Sequence, residues 1–340
     1  MKKIALLLIG LFLVPTLFLT SCDKGDEPGE GTVVQPSFDL MKDYMVTNGL
    51  DISKILKNSD NEKFVAGPPA DAGAALDAFL AKYYIIDIRD AGTFSAGHIA
   101  GAKNVPFANI LTEAPNAGSK PILIVCFSGQ TACYATALLR LYGYKHTQAL
   151  KWGMSGWNPA TAVGSWDKKI GADEAENHAN WTSNPAPNNM VFSDPKITTS
   201  GSTGEAILKK RVEDAVAAGF GAAVVSGTDV LNSPGSYFIN NYFSEGDYSA
   251  FGHIDGAYRI LPLTLAGNEY KNLDPDATVV TYCYTGQTSA VMSACLRVLG
   301  YDAKSLTYGM NGLYNTNPAW DNTVNKWGGD SGPKNLPLVQ

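Results

Sequence analysis

The segment Cys126-Phe127-Ser128-Gly129-Gln130-Thr131-Ala132 recurs 157 positions later as Cys283-Tyr284-Thr285-Gly286-Gln287-Thr288-Ser289. At the same offset Leu139-Arg140-Leu141-Tyr142-Gly143-Tyr144 answers to Leu296-Arg297-Val298-Leu299-Gly300-Tyr301. One residue closer, Gly153-Met154-Ser155-Gly156 answers to Gly309-Met310-Asn311-Gly312, and two residues closer, upstream, Gly97-His98-Ile99-Ala100-Gly101-Ala102 answers to Gly252-His253-Ile254-Asp255-Gly256-Ala257. A period this long, with the motifs in one order in each half, is a duplicated domain and not a solenoid. The chain has 340 residues, and at roughly 150 residues per domain it has room for two. They are expected at 38–170 and 201–328, joined by a linker at 171–200 that is rich in Asn, Pro, Ser and Thr without a sustained period, and followed by a tail at 329–340.

Within each half the pattern alternates strand and helix. Tyr84-Ile85-Ile86-Asp87-Ile88 and Pro121-Ile122-Leu123-Ile124-Val125 are short apolar runs suited to strands buried on both faces, and Thr278-Val279-Val280-Thr281-Tyr282 repeats the second of them. Residues 131–141 and 288–299 then carry apolar positions at helical spacing and stop at Gly143 and Gly300. The expected fold class is α/β, two domains each with a mainly parallel central sheet flanked by helices. A cysteine stands at the carboxyl end of a strand in each, where sites of open sheets of this class lie.

The amino terminus has another character. Met1-Lys2-Lys3, an apolar run from Ile4 to Leu19 broken by Pro15, and Thr20-Ser21-Cys22 follow the layout of an export signal. Leu19-Thr20-Ser21-Cys22 resembles a bacterial lipobox, which implies removal of residues 1–21 and acylation of Cys22 as a membrane anchor. Residues 22–37 then read as a tether, since this charged, Gly- and Pro-containing stretch cannot bury apolar area. The expected location is the cell envelope, on a bacterial membrane, facing the periplasm or the surface. Loss of Lys2 and Lys3 moves the formal charge from −6 to −8, and with no block of basic residues nucleic acid is not an expected partner. The 45% hydrophobic and 17% charged composition is that of a folded chain.

With Cys22 assigned to lipid, four cysteines remain, and Cys126, Cys133, Cys283 and Cys295 are too few and scattered for a disulfide scaffold. No Cys-x-x-Cys occurs and the four histidines do not fall in zinc-like spacing, so the sequence calls for no metal and no cofactor.

A cysteine that opens a short loop running into a helix sits near unpaired backbone N–H groups and the positive end of the helix dipole. Such positions can lower a thiol pKa from about 8.5 to roughly 3.5–7.5, so Cys126 and Cys283 are expected to be nucleophiles without a histidine base. Gly129 and Gly286 allow the loop to curl so that successive amides point inward at an anion. Ser128, Thr131, Thr285 and Thr288 can add hydroxyls, and Phe127, Gln130, Tyr284 and Gln287 complete the substrate loops. A cradle of neutral donors suits a bound persulfide or sulfur oxyanion. Duplication of the whole loop argues against a merely structural cysteine.

These features resemble the rhodanese family, in which an Asp-x-Arg and a His-Ile-Pro-Gly-Ala-like segment precede a loop led by a sulfur-carrying cysteine. In the first half Asp87-Ile88-Arg89, Phe94, His98-Ile99-Ala100-Gly101-Ala102, the loop from Cys126 to Thr131 and Trp152-Gly153-Met154-Ser155-Gly156-Trp157 occur in family order, with Ala100 in place of the proline. In the second half Asn240 and Tyr242 stand where the Asp and Arg are expected. The resemblance implies a sulfurtransferase that moves sulfane sulfur from thiosulfate, polysulfide or persulfide to a thiol or cyanide-like acceptor. It gives His98 and His253 a fold role, and Asp87 and Arg89 a supporting one. Tandem members usually lack the first-domain cysteine and carry Arg or Lys near the loop, so two loop cysteines and loops without basic residues are departures, and the second favours a persulfide or polysulfide donor. Cys133 and Cys295 read as buried helix cysteines. A cysteine phosphatase would need an arginine closing the loop where Ala132 and Ser289 stand. The remaining rival is an exported binding or sulfur-sensing module without turnover.

Overall fold

The computed structural model describes residues 36–162, 164–321, 323–328 and 331–340. The segments expected to be an export signal and a tether, with the Cys22 expected to be acylated, lie outside the described residues up to residue 35. Among the described residues no helix is long and apolar enough to cross a membrane.

Residues Pro36–Gln340 form one unit built around two parallel sheets. The first consists of β1 (Val65–Ala66), β2 (Tyr84–Asp87), β3 (Lys103–Asn104), β4 (Ile122–Val125) and β5 (Gln148–Leu150) in the order β1-β5-β4-β2-β3. A short β6 (Trp181–Thr182) precedes the second half. The second sheet consists of β7 (Val224–Val225), β8 (Phe238–Asn241), β10 (Thr278–Tyr282) and β11 (Asp302–Leu306) in the order β7-β11-β10-β8. A single parallel bridge from Asn240 to Tyr258 continues it where β3 lies in the first half. All strand pairings within these two sheets are parallel. The α/β class with mainly parallel sheets is what the alternating pattern requires.

Side-chain alternation divides each sheet into two buried faces. Ile86, Ile122 and Ile124 join the large core cluster, while Ile85, Leu123 and Val125 face a separate one with Leu76, Met154 and Trp157. In the second half Phe238 and Val279 belong to the large cluster, while Ile239, Val280 and Tyr282 face the other way. The large cluster is shared by the halves. The helix Gln130–Tyr142 packs on the helix Gln287–Leu299, and the helix Ser37–Thr47 packs on Gly204–Ala218. The inner faces of both sheets therefore close on one layer of helices. Arg140 is fully buried there, and its guanidinium donates to the carbonyls of Thr147, Ile55 and Lys63 at 2.8, 2.9 and 3.1 Å.

The halves also exchange chain segments. Trp181 and Thr182 of the connecting segment pair antiparallel with Ile254 and His253 in β9 (His253–Ile254) of the second half. The tail reciprocates on the first half, where Val339 and His98 exchange backbone hydrogen bonds at 2.9 and 3.0 Å. Leu336 is fully buried among first-half residues, and the Trp157 indole donates to the Pro337 carbonyl at 2.9 Å. Leu336→Ala should therefore destabilise the protein by about 2–4 kcal/mol, read as a lowered urea midpoint with unchanged slope. A loss under about 0.5 kcal/mol would mean that the tail is not part of the first core.

Candidate active site

β4 ends at Val125 and β10 at Tyr282, so Cys126 and Cys283 each open the turn between strand and helix. Gly129 and Gly286, at φ 86° and 71°, take the left-handed conformation that starts the helices at Gln130 and Gln287. This turn wraps amides around the first sulfur. Cys126 Sγ accepts from the N–H of Gly129 at 3.2 Å and of Ala132 at 3.3 Å, with the Ser128 N–H also directed at it. Cys283 Sγ accepts from the N–H of Ser289 at 3.4 Å. Ser128 Oγ accepts from the Gln130 amide and carboxamide at 3.4 and 3.1 Å, and Thr285 Oγ1 accepts from the Gln287 amide at 3.2 Å. These two hydroxyls brace the turn. Thr131 and Thr288 are half-buried at the first helical turn.

Beneath each loop a second segment approaches so closely that only glycine fits. A Cβ on Gly153 would lie 2.4 Å from the Cys126 carbonyl oxygen, and one on Gly309 would lie 2.0 Å from that of Cys283. Met154 and Met310 donate to those same carbonyls at 2.8 and 2.9 Å. The residues before these glycines, Trp152 and Tyr308, are left-handed at φ 66° and 62°.

The two loops meet across the pseudo-dyad. Gln130 Oε1 accepts from the Tyr308 N–H at 2.7 Å, and Gln287 Oε1 accepts from the Trp152 N–H at 3.3 Å. Trp152, Trp166, Tyr308 and Trp327 pack there as an aromatic cluster, with ring centroids of Trp152 and Tyr308 at 4.7 and 4.9 Å from Trp166. The Trp166 indole donates to the Ser128 carbonyl at 3.1 Å. Cys126 is 4% and Cys283 1% exposed, whereas Phe127 is 42% exposed.

A family model described as the Rhodanese-like domain matches residues 69–160 and 242–316, and each match includes one loop cysteine. The thiosulfate sulfurtransferase GlpE of Shewanella oneidensis is 34% identical over 79 residues, covering 23% of this chain and 78% of that relative. This chain belongs to the rhodanese-like family. The uncharacterized protein YqhL of Bacillus subtilis is 27% identical over 115 residues, covering 34% of this chain and 82% of YqhL. Among solved structures, a thiosulfate sulfurtransferase from Pseudomonas aeruginosa is similar with TM-score 0.28 and 15% identity, covering 80% of this chain and 45% of that one.

Both rhodanese-like halves support their loops from the neighbouring strand, by different means. In the first, the buried Arg89 guanidinium meets Asp87 at 2.6 Å and the Gly97 carbonyl at 2.9 Å, and lies 5.7 Å from the centre of the Phe127 ring. In the second, strand register corrects the sequence expectation. Asp87 pairs with Val125 and Asn241 with Tyr282, so the equivalents of Asp87 and Arg89 are Asn241 and Phe243, and not Asn240 and Tyr242. The local bonding agrees, since Asn241 Oδ1 accepts from the Phe243 N–H at 2.8 Å as Asp87 Oδ1 accepts from the Arg89 N–H at 3.0 Å. Phe243 stacks on Tyr284 at 4.6 Å where Arg89 covers Phe127. The segment between this strand and the loop cysteine differs in length between the halves, 39 positions from Asp87 to Cys126 and 42 from Asn241 to Cys283, so spacing alone does not carry the equivalence over.

The histidines are engaged away from the sulfurs. His98 stacks on Phe94 with Nδ1 3.0 Å from the Phe94 carbonyl oxygen, and His253 stacks on Tyr248 with Nδ1 3.2 Å from the Tyr248 carbonyl oxygen. Cys133 and Cys295 are fully buried, and burial pushes both thiols well up. Trp166, Tyr308 and Trp327 escaped sequence reasoning. The equivalence of Trp152 and Tyr308 before the paired Gly-Met motifs was the available signal.

A second correction concerns ionisation. Burial pushes the Cys126 thiol above its ordinary value and outweighs the amides of Ala132, Gly129 and Ser128, which act to lower it. The closed loop thus favours the thiol at neutral pH, contrary to the expected depression. In Cys283→Ser protein, iodoacetamide alkylation of Cys126 should still be rising as pH passes 9, because a raised pKa keeps the thiolate fraction low below it. A plateau reached by pH 7 would show that the amides win.

Proposed function

We propose that this rhodanese-like protein is a sulfurtransferase carrying sulfane sulfur as a persulfide on its loop cysteines. The observation that carries this reading is the Cys126 sulfur held by backbone amides at 3.2 and 3.3 Å with no histidine base beside it. Neutral donors stabilise a sulfur anion without quenching its nucleophilicity. The thiolate attacks the sulfane sulfur of a donor, whose other fragment leaves with the bonding pair. An acceptor thiolate or cyanide then attacks the outer sulfur and the pair returns to the cysteine.

The relative in Shewanella is named a thiosulfate sulfurtransferase, which makes thiosulfate one donor to test. Neither loop here carries Lys or Arg, and Arg89 is ion-paired with Asp87 through Nε and Nη2, with Nη1 alone left without a partner among the described residues, so a persulfide or polysulfide donor, which asks for less anion binding, fits this site better. The near-complete burial of both sulfurs favours a second reading, a sulfur-sensing or binding module that opens only to a partner.

Protein incubated with thiosulfate or with polysulfide, then with cyanide, should release thiocyanate, and Cys126→Ser combined with Cys283→Ser should abolish it. Wild-type output equal to that of the double variant with both donors would leave the binding module as the reading. The lipobox motif supports a lipid anchor on Cys22 and a place in the cell envelope. Labelled palmitate fed to bacteria expressing the full chain should enter wild type and not Cys22→Ala, and equal labelling would refute the anchor.

A further inference from the structure

The two cysteines are held by different chemistry. Where Cys126 Sγ receives two backbone amides at hydrogen-bond distance, Cys283 Sγ has the Ser289 amide at 3.4 Å and the Ser289 hydroxyl at 3.7 Å. The Ser289 hydroxyl is 2.7 Å from that of Ser305, which in turn lies 3.4 Å from the Gly286 carbonyl oxygen. All of these side chains are buried.

Strand register shows how far this difference extends. Asn240, Thr281 and Ser305 are in-register neighbours on β8, β10 and β11, so they share the helix-facing side of the sheet. The equivalent positions of the first sheet are Ile86, Ile124 and Ala149, and Ala132 stands where Ser289 does. Four buried apolar positions in one half are thus four buried polar positions in the other. Among the described residues Asn240 Nδ2 and Thr281 Oγ1 have no hydrogen-bond partner, so the exchange carries a desolvation penalty that the first half avoids. Folding alone does not call for it, since the apolar set fills the same place in the same fold.

Two serines in series can serve the sulfur in either state. With a thiol, Cys283 S–H donates to Ser289, Ser289 to Ser305, and Ser305 to the Gly286 carbonyl. With a thiolate, both hydroxyls rotate, so that Ser305 donates to Ser289 and Ser289 to the sulfur. No proton is transferred and no donor is orphaned in either arrangement. Two ionisable groups that interact electrostatically with Cys283, the Cys133 thiol and the Tyr242 phenol, are pushed up by burial, Tyr242 to about 12, and so supply no charge to do this work.

We propose that Ser289, backed by Ser305, is a catalytic residue of the second site, stabilising Cys283 as the leaving thiolate when its outer sulfur passes to an acceptor. This rests on the persulfide reading. The acceptor's electron pair forms the new bond to the outer sulfur, the S–S pair moves onto Cys283 Sγ, and the Ser289 hydroxyl donates to the charge gathering there. The first site, with Ala132 and Ala149, has no such switch.

The test uses the full chain with Cys126→Ser, so that Cys283 alone reports, with and without Ser289→Ala or Ser305→Ala. Both alanines reproduce side chains that the first half already accommodates, and thermal unfolding verifies that the variants fold. Ser289→Ala should slow discharge of preloaded persulfide to cyanide and to a small thiol by roughly tenfold. It should also move the pH profile of Cys283 alkylation to higher pH, with Ser305→Ala acting in the same direction and less. Unchanged discharge and an unchanged profile in folded Ser289→Ala would overturn the proposal. If Cys126→Ser protein neither loads nor discharges sulfur, the sulfurtransferase reading of this site fails by itself. The alkylation profile still decides the hydroxyl's role there, a shift supporting it and no shift overturning it.

Discussion

The carboxamides of Gln130 and Gln287, one from each loop, cross to the opposite half and accept from the backbone N–H of Tyr308 and Trp152. Much of the site's geometry depends on this reciprocal pair. Each carboxamide belongs to the loop that carries one cysteine and ends on the segment that supports the other, so neither loop can shift without disturbing its counterpart. The exchanged segments at β6 and Val339 and the single large core shared by both halves bind them in the same reciprocal manner. What the sequence presents as two domains in series is, physically, a pair of interlocked halves.

That closeness explains the electrostatics. A loop at a helix start raises the expectation of an ionised thiol, but the expectation assumes some water. Here Cys126 is almost fully buried, and removal of solvent opposes the amides directly. Reactivity is then tied to how the loop opens.

The halves have diverged around a shared frame. Turn glycines, the Gly-Met segment under each loop and strand order are common to both, because backbone geometry permits few alternatives there. Side chains next to the sulfur are free to differ, and they do: Arg89 against Phe243, Ala132 against Ser289, Ala149 against Ser305.

The sequence by itself determined the duplication, the α/β class, the parallel strands that end at Cys126 and Cys283, and the helices stopped by Gly143 and Gly300, since these follow from periodicity and from glycines whose backbone conformation other residues resist. It could not determine which strand residues are equivalent where loop lengths differ, and so it selected Asn240 and Tyr242 over Asn241 and Phe243. Nor could it reveal that Gln130 and Gln287 reach across the dyad, that Trp166 bonds to the first loop and packs on Trp327, or that burial outweighs the amides at Cys126. Those depend on groups more than a hundred residues apart in some cases, brought together only when the two halves close on one core, and no local pattern encodes such contacts.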